Sequence, residues 1–339
     1  MMNIVPLFTK TRFVAISVFS GLGLLAVSFN PLSQQKYSDH KEPKETDARK
    51  YITENVIILV IDGPRMSETF GDTSYQYIPN LARVLAPQGV LLKNFRNNGP
   101  TYTNAGHTAI TTGVYQKINN SGLELPKNPS MFQYFLKEKN ISKEKAWIIA
   151  SKGKLNILAN TKEKCWRNQY QPSAFCGING SGAGYTSDEK NFADALRILG
   201  EHHPKLTLIN LLEVDVNGHA NLWERYLNAI RKTDQKALEL WNFIENDSIY
   251  KGKTTLFITN DHGRHLNGRR DGFISHGDNC EGCRSIYLVA LGPDFKKNVS
   301  LPSKYEQIDI SRTIAEMLHF NFPVTQGKLM TDIFRSFKQ

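Results

Sequence analysis

The sequence predicts an α/β fold with a doubly wound, mainly parallel sheet that helices cover on both faces. Continuous aliphatic runs are typical of strands buried on both faces; they span residues 54–62, 146–150, 206–214, 254–259 and 285–291. Segments with helical periodicity lie between these runs and span residues 78–86, 130–139, 188–200, 222–246 and 310–318. Strands that alternate with helices favour a largely parallel sheet covered on both sides.

The amino-terminal segment has the plan of a secretory signal. Lys10 and Arg12 precede an uncharged apolar run over residues 13–29, and small residues at positions 26 and 28 offer a cleavage site. We therefore expect residues 1–29 to be a signal peptide or, if it is not cleaved, a single membrane anchor, because the run is long enough to span a bilayer. Either outcome predicts an exported protein, in the periplasm or the extracellular space.

The remaining chain divides into a linker and one large domain. Residues 30–52 are mostly polar and predict a linker that buries nothing. Residues 53–339 have the composition of a folded globular domain, since the whole chain is 40% hydrophobic and 22% charged. Within this domain, residues 158–186 are rich in Gly, Asn and Ser and predict a small loop or cap insertion.

The four cysteines allow two interpretations. An even number of thiols in an exported chain favours disulfides, and the sequence spacing suggests the pairs Cys165–Cys176 and Cys280–Cys283. The alternative is an all-cysteine zinc site, because Cys-Glu-Gly-Cys has the spacing of a metal knuckle. The first two cysteines lie too far apart in the sequence to form a second knuckle.

The formal net charge of +10 favours anionic partners in general, without naming one. Nucleic acid is not the expected partner, because the Lys and Arg residues are scattered along the chain instead of being concentrated on one helix or motif. The sequence does not indicate an oligomeric state.

Acidic residues follow three of the predicted strands. Asp62 closes the first run, Asp215 follows the run at 206–214, and Asp261 follows the run at 254–259. In doubly wound sheets, reactive groups collect at the carboxyl ends of the strands. A single Asp in such a place is often a cap or turn residue, but three acids at one edge predict a functional site.

Histidines near these acids predict a metal centre. Asp215 and His219 are four positions apart, Asp261 and His262 are adjacent, and His276 follows in a glycine-rich loop. Oxygen and nitrogen ligands without a thiolate suit zinc best, with manganese or iron as alternatives.

Thr103 is the candidate nucleophile. It follows Gly99-Pro100 and precedes a run of small residues that predicts a helix, so its hydroxyl lies at a helix amino end. Free backbone donors at that end favour an anion, and a metal could ionise the hydroxyl. The alternative is that Thr103 is only an N-cap residue.

Taken in order and spacing, these motifs resemble the alkaline phosphatase superfamily, in particular its nucleotide pyrophosphatase/phosphodiesterase group and bacterial threonine-type phosphatases. The resemblance runs from about residue 55 to the carboxyl end and rests on five motifs, namely Ile58-Leu59-Val60-Ile61-Asp62-Gly63, Pro100-Thr101-Tyr102-Thr103, Asp215-x-x-Gly-His219, Asp261-His262-Gly263 and His276-Gly277.

The resemblance implies hydrolysis of a small anionic phosphate ester with two zinc ions and a covalent phosphothreonine on Thr103. The ligands of the first ion would be Asp215, His219 and His276, and those of the second Asp62, Asp261, His262 and Thr103. His107 would be structural. His265 and Arg264 would contact substrate or lie on the surface.

Substrate contacts implied by the resemblance are less specific. Asn104, or Asn120 in the pair Asn119-Asn120, would donate to a phosphate oxygen. Lys152 and Lys154 lie where threonine-type monoesterases carry a Lys-x-Arg pair, although lysine at the second position lacks the bidentate geometry of arginine; both could also be solvated surface residues.

Alternative functions remain within and outside the superfamily. A sulfatase lacks support because the Cys-x-Pro-x-Arg or Ser-x-Pro-x-Arg signature is absent around Thr103. A phosphoethanolamine-type transferase would normally carry several membrane spans, and this chain offers at most one. An inactive binding relative of the same fold is the alternative from a different class. The sequence does not distinguish monoester from diester substrates.

Overall fold

The structure is a computed structural model that describes residues 51–336. The predicted signal or anchor at 1–29 and all but the last two residues of the predicted linker at 30–52 lie outside the described residues. Within 51–336, no helix is both long and apolar enough to cross a membrane. Tyr51 is already buried, and the N–H groups of Ile52 and Thr53 both donate to the carboxylate of Asp294 at 2.9 Å.

A nine-stranded sheet forms the centre of the described chain, in the order β5-β4-β3-β6-β1-β7-β8-β2-β9. Its strands are β1 Asn55–Ile61, β2 Val90–Arg96, β3 Ala146–Ala150, β4 Ser173–Gly177, β5 Ser181–Ala183, β6 Leu206–Leu211, β7 Thr254–Asn260, β8 Ser285–Leu291 and β9 Val299–Leu301. Among the strand pairs of residues 51–336, only those that β8 makes, with β7 and β2, are antiparallel. The predicted doubly wound, mainly parallel sheet is confirmed.

The central strand β1 shows why its sequence is continuously apolar. All seven residues are buried. Val56, Ile58 and Val60 pack into the hydrophobic core on one face of the sheet. The residues between them pack into the core on the other face. Because side chains alternate along a strand, a strand covered on both faces requires apolar residues at every position.

Within residues 51–336, seven α-helices accompany the sheet: α1 Thr103–Thr112, α2 Met131–Lys139, α3 Asp188–His202, α4 Glu213–His219, α5 Trp223–Asn246, α6 Glu281–Arg284 and α7 Asp309–Met317. Buried residues of α1, α2 and α7 belong to the core on one face, and those of α3 and α5 to the core on the other. Local sequence sets some boundaries: Ser130 and Gln133 form a capping box before α2, and Gly113, with φ of 66°, ends α1 in a left-handed conformation.

Several elements differ from the sequence-based expectations. The segment predicted to be helical at 78–86 is helical from residue 79, but its central turn, Leu81–Leu85, is π-helical. Strands β2, β4, β5 and β9 were not predicted, because they are short or interrupted by polar residues. The predicted cap segment, 158–186, contains β4 and β5, which extend the sheet beyond β3.

The two predicted disulfides are not present, because all four cysteines are free. Cys176 is fully buried on β4, where its Sγ lies 3.7 Å from the carbonyl oxygen of Ile148, whereas Cys165 is exposed. Cys280 and Cys283 are both buried, and the Sγ of Cys280 accepts a hydrogen bond from the backbone N–H of Cys283 at 3.4 Å. The thiol therefore caps a helical turn instead of bonding to the second sulfur.

One buried carboxylate holds the ends of two neighbouring strands together. Asp188, the first residue of α3, accepts hydrogen bonds from Ser151 Oγ at 2.7 Å, from Leu212 N at 2.7 Å and from Glu213 N at 2.9 Å. Ser151 follows β3, and Leu212 follows β6. Burial raises the pKa of Asp188 to about 6, although these hydrogen bonds oppose the shift.

We expect Asp188→Ala to lower the free energy of unfolding by about 3 kcal/mol, because buried donors lose their acceptor. Asp188→Asn should lower the free energy of unfolding less, since the amide keeps one acceptor oxygen. The folded-state pKa near 6 lies above the ordinary value of 3.8, so the unfolded carboxyl ionises first as pH rises. The stability of the wild type, relative to Asp188→Asn, should therefore fall between about pH 4 and pH 6.

Urea unfolding measured across this pH range tests both statements, with the exposed Glu239→Ala as the control. The account of Asp188 is contradicted if the Ala variant unfolds at the wild-type midpoint.

Candidate active site

The carboxyl ends of four adjacent strands, β3, β6, β1 and β7, carry the candidate active site. Lys152 follows β3, Asp215 lies in α4 just after β6, Asp62 follows β1 and Asp261 follows β7. All four side chains are buried, with at most 3% of each residue exposed. Because these strands run parallel, their ends meet at one edge and bring residues far apart in sequence into one cluster.

One half of the cluster unites Asp62, Asp261 and His262, whose ligand atoms all lie within 4.8 Å of one another. The Nε2 atom of His262 is 3.4 Å from Asp62 Oδ1 and 3.3 Å from Asp261 Oδ2. These three atoms are buried and form no hydrogen bond. Buried polar atoms without partners are rare in folded proteins, and three that converge have the character of a cation site.

The imidazole of His262 is oriented for such a site. Its Nδ1 lies 2.9 Å from the carbonyl oxygen of Gly263, which can only accept, so Nδ1 carries the proton and Nε2 can present a lone pair. Burial opposes protonation of Nε2, but the carboxylates of Asp261 and Asp62 outweigh it and raise the pKa of His262. A proton and a metal ion would therefore compete for Nε2.

The other half of the cluster contains Asp215, His219 and His276. The Nε2 atoms of both histidines lie 3.3 Å from Asp215 Oδ1 and 3.0 Å from each other. Nδ1 of His276 donates to the carbonyl oxygen of Thr101 at 2.7 Å. Burial lowers the pKa of His276 to about 4, so its Nε2 has a free lone pair at neutral pH. The His219 side chain is 47% exposed and forms the outer wall.

The two halves share a boundary at His262. Its ring stacks on that of His276 with centroids 3.8 Å apart, and its ligand atoms also lie within 4.8 Å of those of Asp215 and His276. The structure thus brings together all six carboxylate and imidazole ligands that the resemblance implies.

Two buried cations compensate the carboxylates. Lys152 Nζ lies 2.8 Å from Asp62 Oδ2, 2.5 Å from Asp215 Oδ2 and 3.1 Å from Thr103 Oγ1. Arg264 Nη1 lies 2.5 Å from Asp215 Oδ1. Burial opposes ionisation of Asp215, but Lys152 and the neighbouring cations hold the pKa of this carboxyl well below its usual range.

These contacts assign functions that the sequence did not reveal. An ammonium group has three protons, and Lys152 uses them on Asp62, Asp215 and Thr103. A contact between Lys152 and substrate would require exchange of one of these bonds. Arg264 is fully buried, so it is neither a surface residue nor available to substrate. In the sequence, only its position directly after Asp261-His262 could have indicated that it pairs with a nearby carboxylate.

Thr103 is the first residue of α1, and the N-cap is Tyr102, not Thr103. Its hydroxyl therefore does not cap the helix and accepts a hydrogen bond from Lys152 instead. The helix reaches the site because Gly106 allows close packing: a Cβ at that position would lie 2.6 Å from the backbone oxygen of Asp261.

His107 is part of the support of this helix, as the resemblance implies. Its Nδ1 lies 2.9 Å from the backbone oxygen of Thr103 and 3.3 Å from Asp261 Oδ2. Its Nε2 is 3.2 Å from Asn210 Nδ2, an amide nitrogen that can only donate. The ring is therefore held in one tautomer between α1 and the strand ends.

The proposed substrate contacts differ in availability. Asn104 is buried, and its amide nitrogen donates to the backbone oxygen of Asn119 at 3.0 Å, so it fixes a turn. Asn120 is exposed; its Oδ1 accepts from the backbone N–H of Asn104, and its Nδ2 has no partner among residues 51–336. Asn120 is thus the asparagine with a free donor beside the amino end of α1.

Lys154 is partly buried and packs closely on the same turn: a Cβ added at Gly122 would lie 2.5 Å from the Cβ of Lys154. Within the described residues its Nζ forms no hydrogen bond or ion pair. Burial, followed by repulsion from Lys152, lowers the pKa of Lys154. It is a cation close to the site whose hydrogen bonds remain available.

An open groove of about 760 Å³ adjoins the amino end of α1. Pro100, Tyr102, Asn119 and Gly277 are among its lining residues. It therefore offers space next to Thr103 for a substituent larger than a phosphate group.

We expect Lys152→Met to destabilise the chelator-treated protein by about 3 to 5 kcal/mol, because it leaves Asp62 and Asp215 without their shared cation. Added Zn²⁺ should reduce this loss, since a divalent ion can compensate the same carboxylates. Urea unfolding with and without Zn²⁺ measures both effects, and the exposed Lys297→Met is the control. Equal losses in both conditions would contradict metal binding at these carboxylates.

No curated protein matches the sequence significantly. Among solved structures, the fold is similar to that of a phosphonate monoester hydrolase from Silicibacter pomeroyi, with a TM-score of 0.61 and 12% identity over 83% of this chain and 76% of that chain. It is also similar to a protein in the alkaline phosphatase superfamily from Vibrio parahaemolyticus, with a TM-score of 0.61 and 15% identity over 84% and 71% of the two chains.

A 2-O GAG sulfatase is a further structural neighbour, with a TM-score of 0.61 and 11% identity over 85% of this chain and 75% of that chain. At these identities the structures show a shared fold. The sequence itself matches the family described as type I phosphodiesterase / nucleotide pyrophosphatase over residues 56–267, which is more than half of the chain. The chain therefore belongs to the type I phosphodiesterase/nucleotide pyrophosphatase family of the alkaline phosphatase superfamily.

Proposed function

We propose that this chain is a metal-dependent hydrolase of phosphate esters that uses the hydroxyl of Thr103 as its nucleophile. The observation that carries the proposal is the convergence of Asp62 Oδ1, Asp261 Oδ2 and His262 Nε2, all buried and without hydrogen-bond partners. Lys152 connects this group to Thr103 Oγ1. The hydroxyl and the cation site are therefore neighbours.

The residues fit a pair of zinc ions. Carboxylate oxygens and imidazole nitrogens suit Zn²⁺, and Mn²⁺ or iron would accept the same donors. Asp62, Asp261, His262 and Thr103 would hold one ion, and Asp215, His219 and His276 the other. When bound, such ions lower the pKa of a coordinated hydroxyl and stabilise the charge that develops on phosphate oxygens.

The chain's own groups support a two-step displacement. The Thr103 oxygen attacks phosphorus and the bond to the leaving alkoxide breaks, which gives a phosphothreonine; water then cleaves the phosphothreonine to phosphate, or a phosphate monoester, and restores the hydroxyl. The Lys152 ammonium, 3.1 Å from Thr103 Oγ1, favours the ionised nucleophile. Thr103 lies at the amino end of α1, where the helix dipole favours a negatively charged phosphate group.

Substrate contacts follow from the donors that remain free. Lys154 and the amide nitrogen of Asn120 flank the amino end of α1, and we assign both to a non-bridging phosphate oxygen. The groove beside Tyr102 leaves space for a second ester substituent. We therefore expect phosphodiesters to be better substrates than monoesters, in agreement with the family to which the chain belongs.

Structural neighbours include a phosphonate monoester hydrolase and a sulfatase. Phosphonate esters and sulfate esters are therefore the alternative substrates to compare with phosphate esters. The absence of the sulfatase signature around Thr103 argues against sulfate esters. A threonine hydroxyl at this position supports phosphoryl transfer.

Thr103→Ala should lower kcat/KM for bis-p-nitrophenyl phosphate at least about a thousandfold, because the attacking atom is removed. Thr103→Ser keeps a hydroxyl and should retain activity within about tenfold to a hundredfold of the wild type. The assay includes added Zn²⁺. The p-nitrophenyl esters of phosphate, phenylphosphonate and sulfate are compared in parallel. Equal turnover by the wild type and the Ala variant contradicts a threonine nucleophile, and faster sulfate than phosphate cleavage contradicts the substrate class.

Lys154→Ala should lower kcat/KM for the same diester about tenfold to a hundredfold, because a charge-assisted hydrogen bond to phosphate is lost. Lys154→Arg should retain most of the activity. Lys297→Ala, an exposed lysine with no contact to the site, controls for net charge. If Lys154→Ala and Lys297→Ala have the same kinetics, Lys154 does not bind the substrate.

A further inference from the structure

A second group of metal-ligand side chains lies in the loop that carries the chain away from the candidate active site. It consists of His265, Asp278, Cys280 and Cys283, and one ligand atom from each lies within 4.8 Å of all the others. None of these four residues belongs to the ligand set of the candidate active site. Two thiols, an imidazole and a carboxylate are a different donor chemistry from the oxygen and nitrogen ligands there.

The imidazole of His265 is buried and oriented toward this group. The residue is 1% exposed, and its Nε2 atom has no hydrogen-bond partner. Its Nδ1 lies 2.9 Å from Asp271 Oδ1, which places the proton on Nδ1. A metal-ligating histidine usually binds the ion through one ring nitrogen and donates the other N–H to a carboxylate, which is the part that Asp271 plays here. Nε2 is 3.4 Å from Asp278 Oδ2.

The thiols are presented by a tight turn that packs on the chain bearing His265. Both cysteines are buried, and the backbone N–H of Cys283 donates to Cys280 Sγ. Between the two cysteines, Gly282 packs against the backbone of Arg264. Only glycine fits there, because a Cβ at this position would lie 2.4 Å from the carbonyl oxygen of Arg264. The position of the sulfurs is therefore fixed by backbone packing, not by a disulfide.

We propose that His265, Asp278, Cys280 and Cys283 bind a structural Zn²⁺, separate from the candidate active site. Four protein ligands complete a tetrahedral shell, and thiolate donors select zinc over calcium, magnesium or manganese. Two thiolates and one carboxylate exceed the charge of the ion by one. Arg270, whose Nε lies 3.2 Å from Asp278 Oδ2, compensates this charge.

Such an ion would hold the loop that supplies His276 to the candidate active site. The backbone oxygen of Asp278 accepts a hydrogen bond from Thr101 Oγ1 at 2.7 Å, and Nδ1 of His276 donates to the backbone oxygen of Thr101 at 2.7 Å. Thr101 is two residues before Thr103. The ion would therefore fix the distance between this loop and the start of α1 without touching substrate.

Cobalt substitution tests this site independently of catalysis. Co²⁺ bound by thiolate gives intense near-ultraviolet charge-transfer absorption, and the candidate active site contains no thiolate, so the absorption reports only on the proposed site. Reduced wild-type protein titrated with Co²⁺ should show this absorption. Cys280→Ser should lose it, and the exposed Cys165→Ser should retain it. Elemental analysis of zinc-loaded protein should find about one Zn²⁺ fewer per chain in Cys280→Ser than in Cys165→Ser.

His265→Ala is the second variant, because it removes the imidazole and leaves both thiols in place. It should weaken the absorption and change its shape. The proposal is overturned if reduced wild-type protein lacks the absorption, if Cys280→Ser retains it, or if mass spectrometry of the protein isolated without reductant finds a Cys280–Cys283 disulfide and no zinc at this site. None of these outcomes depends on ester hydrolysis, so failure of the proposed function would be seen separately.

Discussion

The concentration of buried carboxylates at one edge of the sheet is the constraint on which the rest of the site depends. Asp62, Asp215 and Asp261 lie at the ends of adjacent parallel strands, where the apolar strands exclude water. Buried anions at such close range are stable only with cations beside them. Lys152 and Arg264 supply two positive charges, while the unpartnered atoms around Asp261 and His262 remain available to a metal ion.

The sequence predicted the parts of the molecule that depend on local pattern. Strands β3 and β8 coincide with their predicted ranges, because uninterrupted aliphatic runs bounded by polar residues leave little alternative. The amino end of α1 at Thr103 followed from the Gly-Pro break before it. The placement of Asp62, Asp215 and Asp261 at one edge also followed, since the carboxyl ends of parallel strands lie at the same edge of a sheet.

The sequence could not show which long-range partners each side chain would choose. Lys152 and Arg264 were considered as substrate contacts or surface residues, whereas both are buried against Asp215 because the sheet order places β3 and the β7 loop on either side of it. The edge strands β5 and β9 were missed because each has only three residues, too few to form a recognisable apolar run. The disulfide interpretation of Cys280 and Cys283 was wrong: both thiols are free, and Cys280 Sγ accepts a hydrogen bond from the backbone N–H of Cys283, a local geometry that the Cys-x-x-Cys spacing alone did not show.

Phosphoryl transfer through Thr103 would be shown by trapping the covalent intermediate. The zinc-loaded protein would be mixed with a phosphate ester, quenched in acid during turnover and digested for mass spectrometry. If Thr103 is the nucleophile, one added phosphoryl group should be found on the peptide that contains Thr103, localised to that residue. Turnover without a phosphoryl group on Thr103, or with the group on another residue, would contradict this role of Thr103.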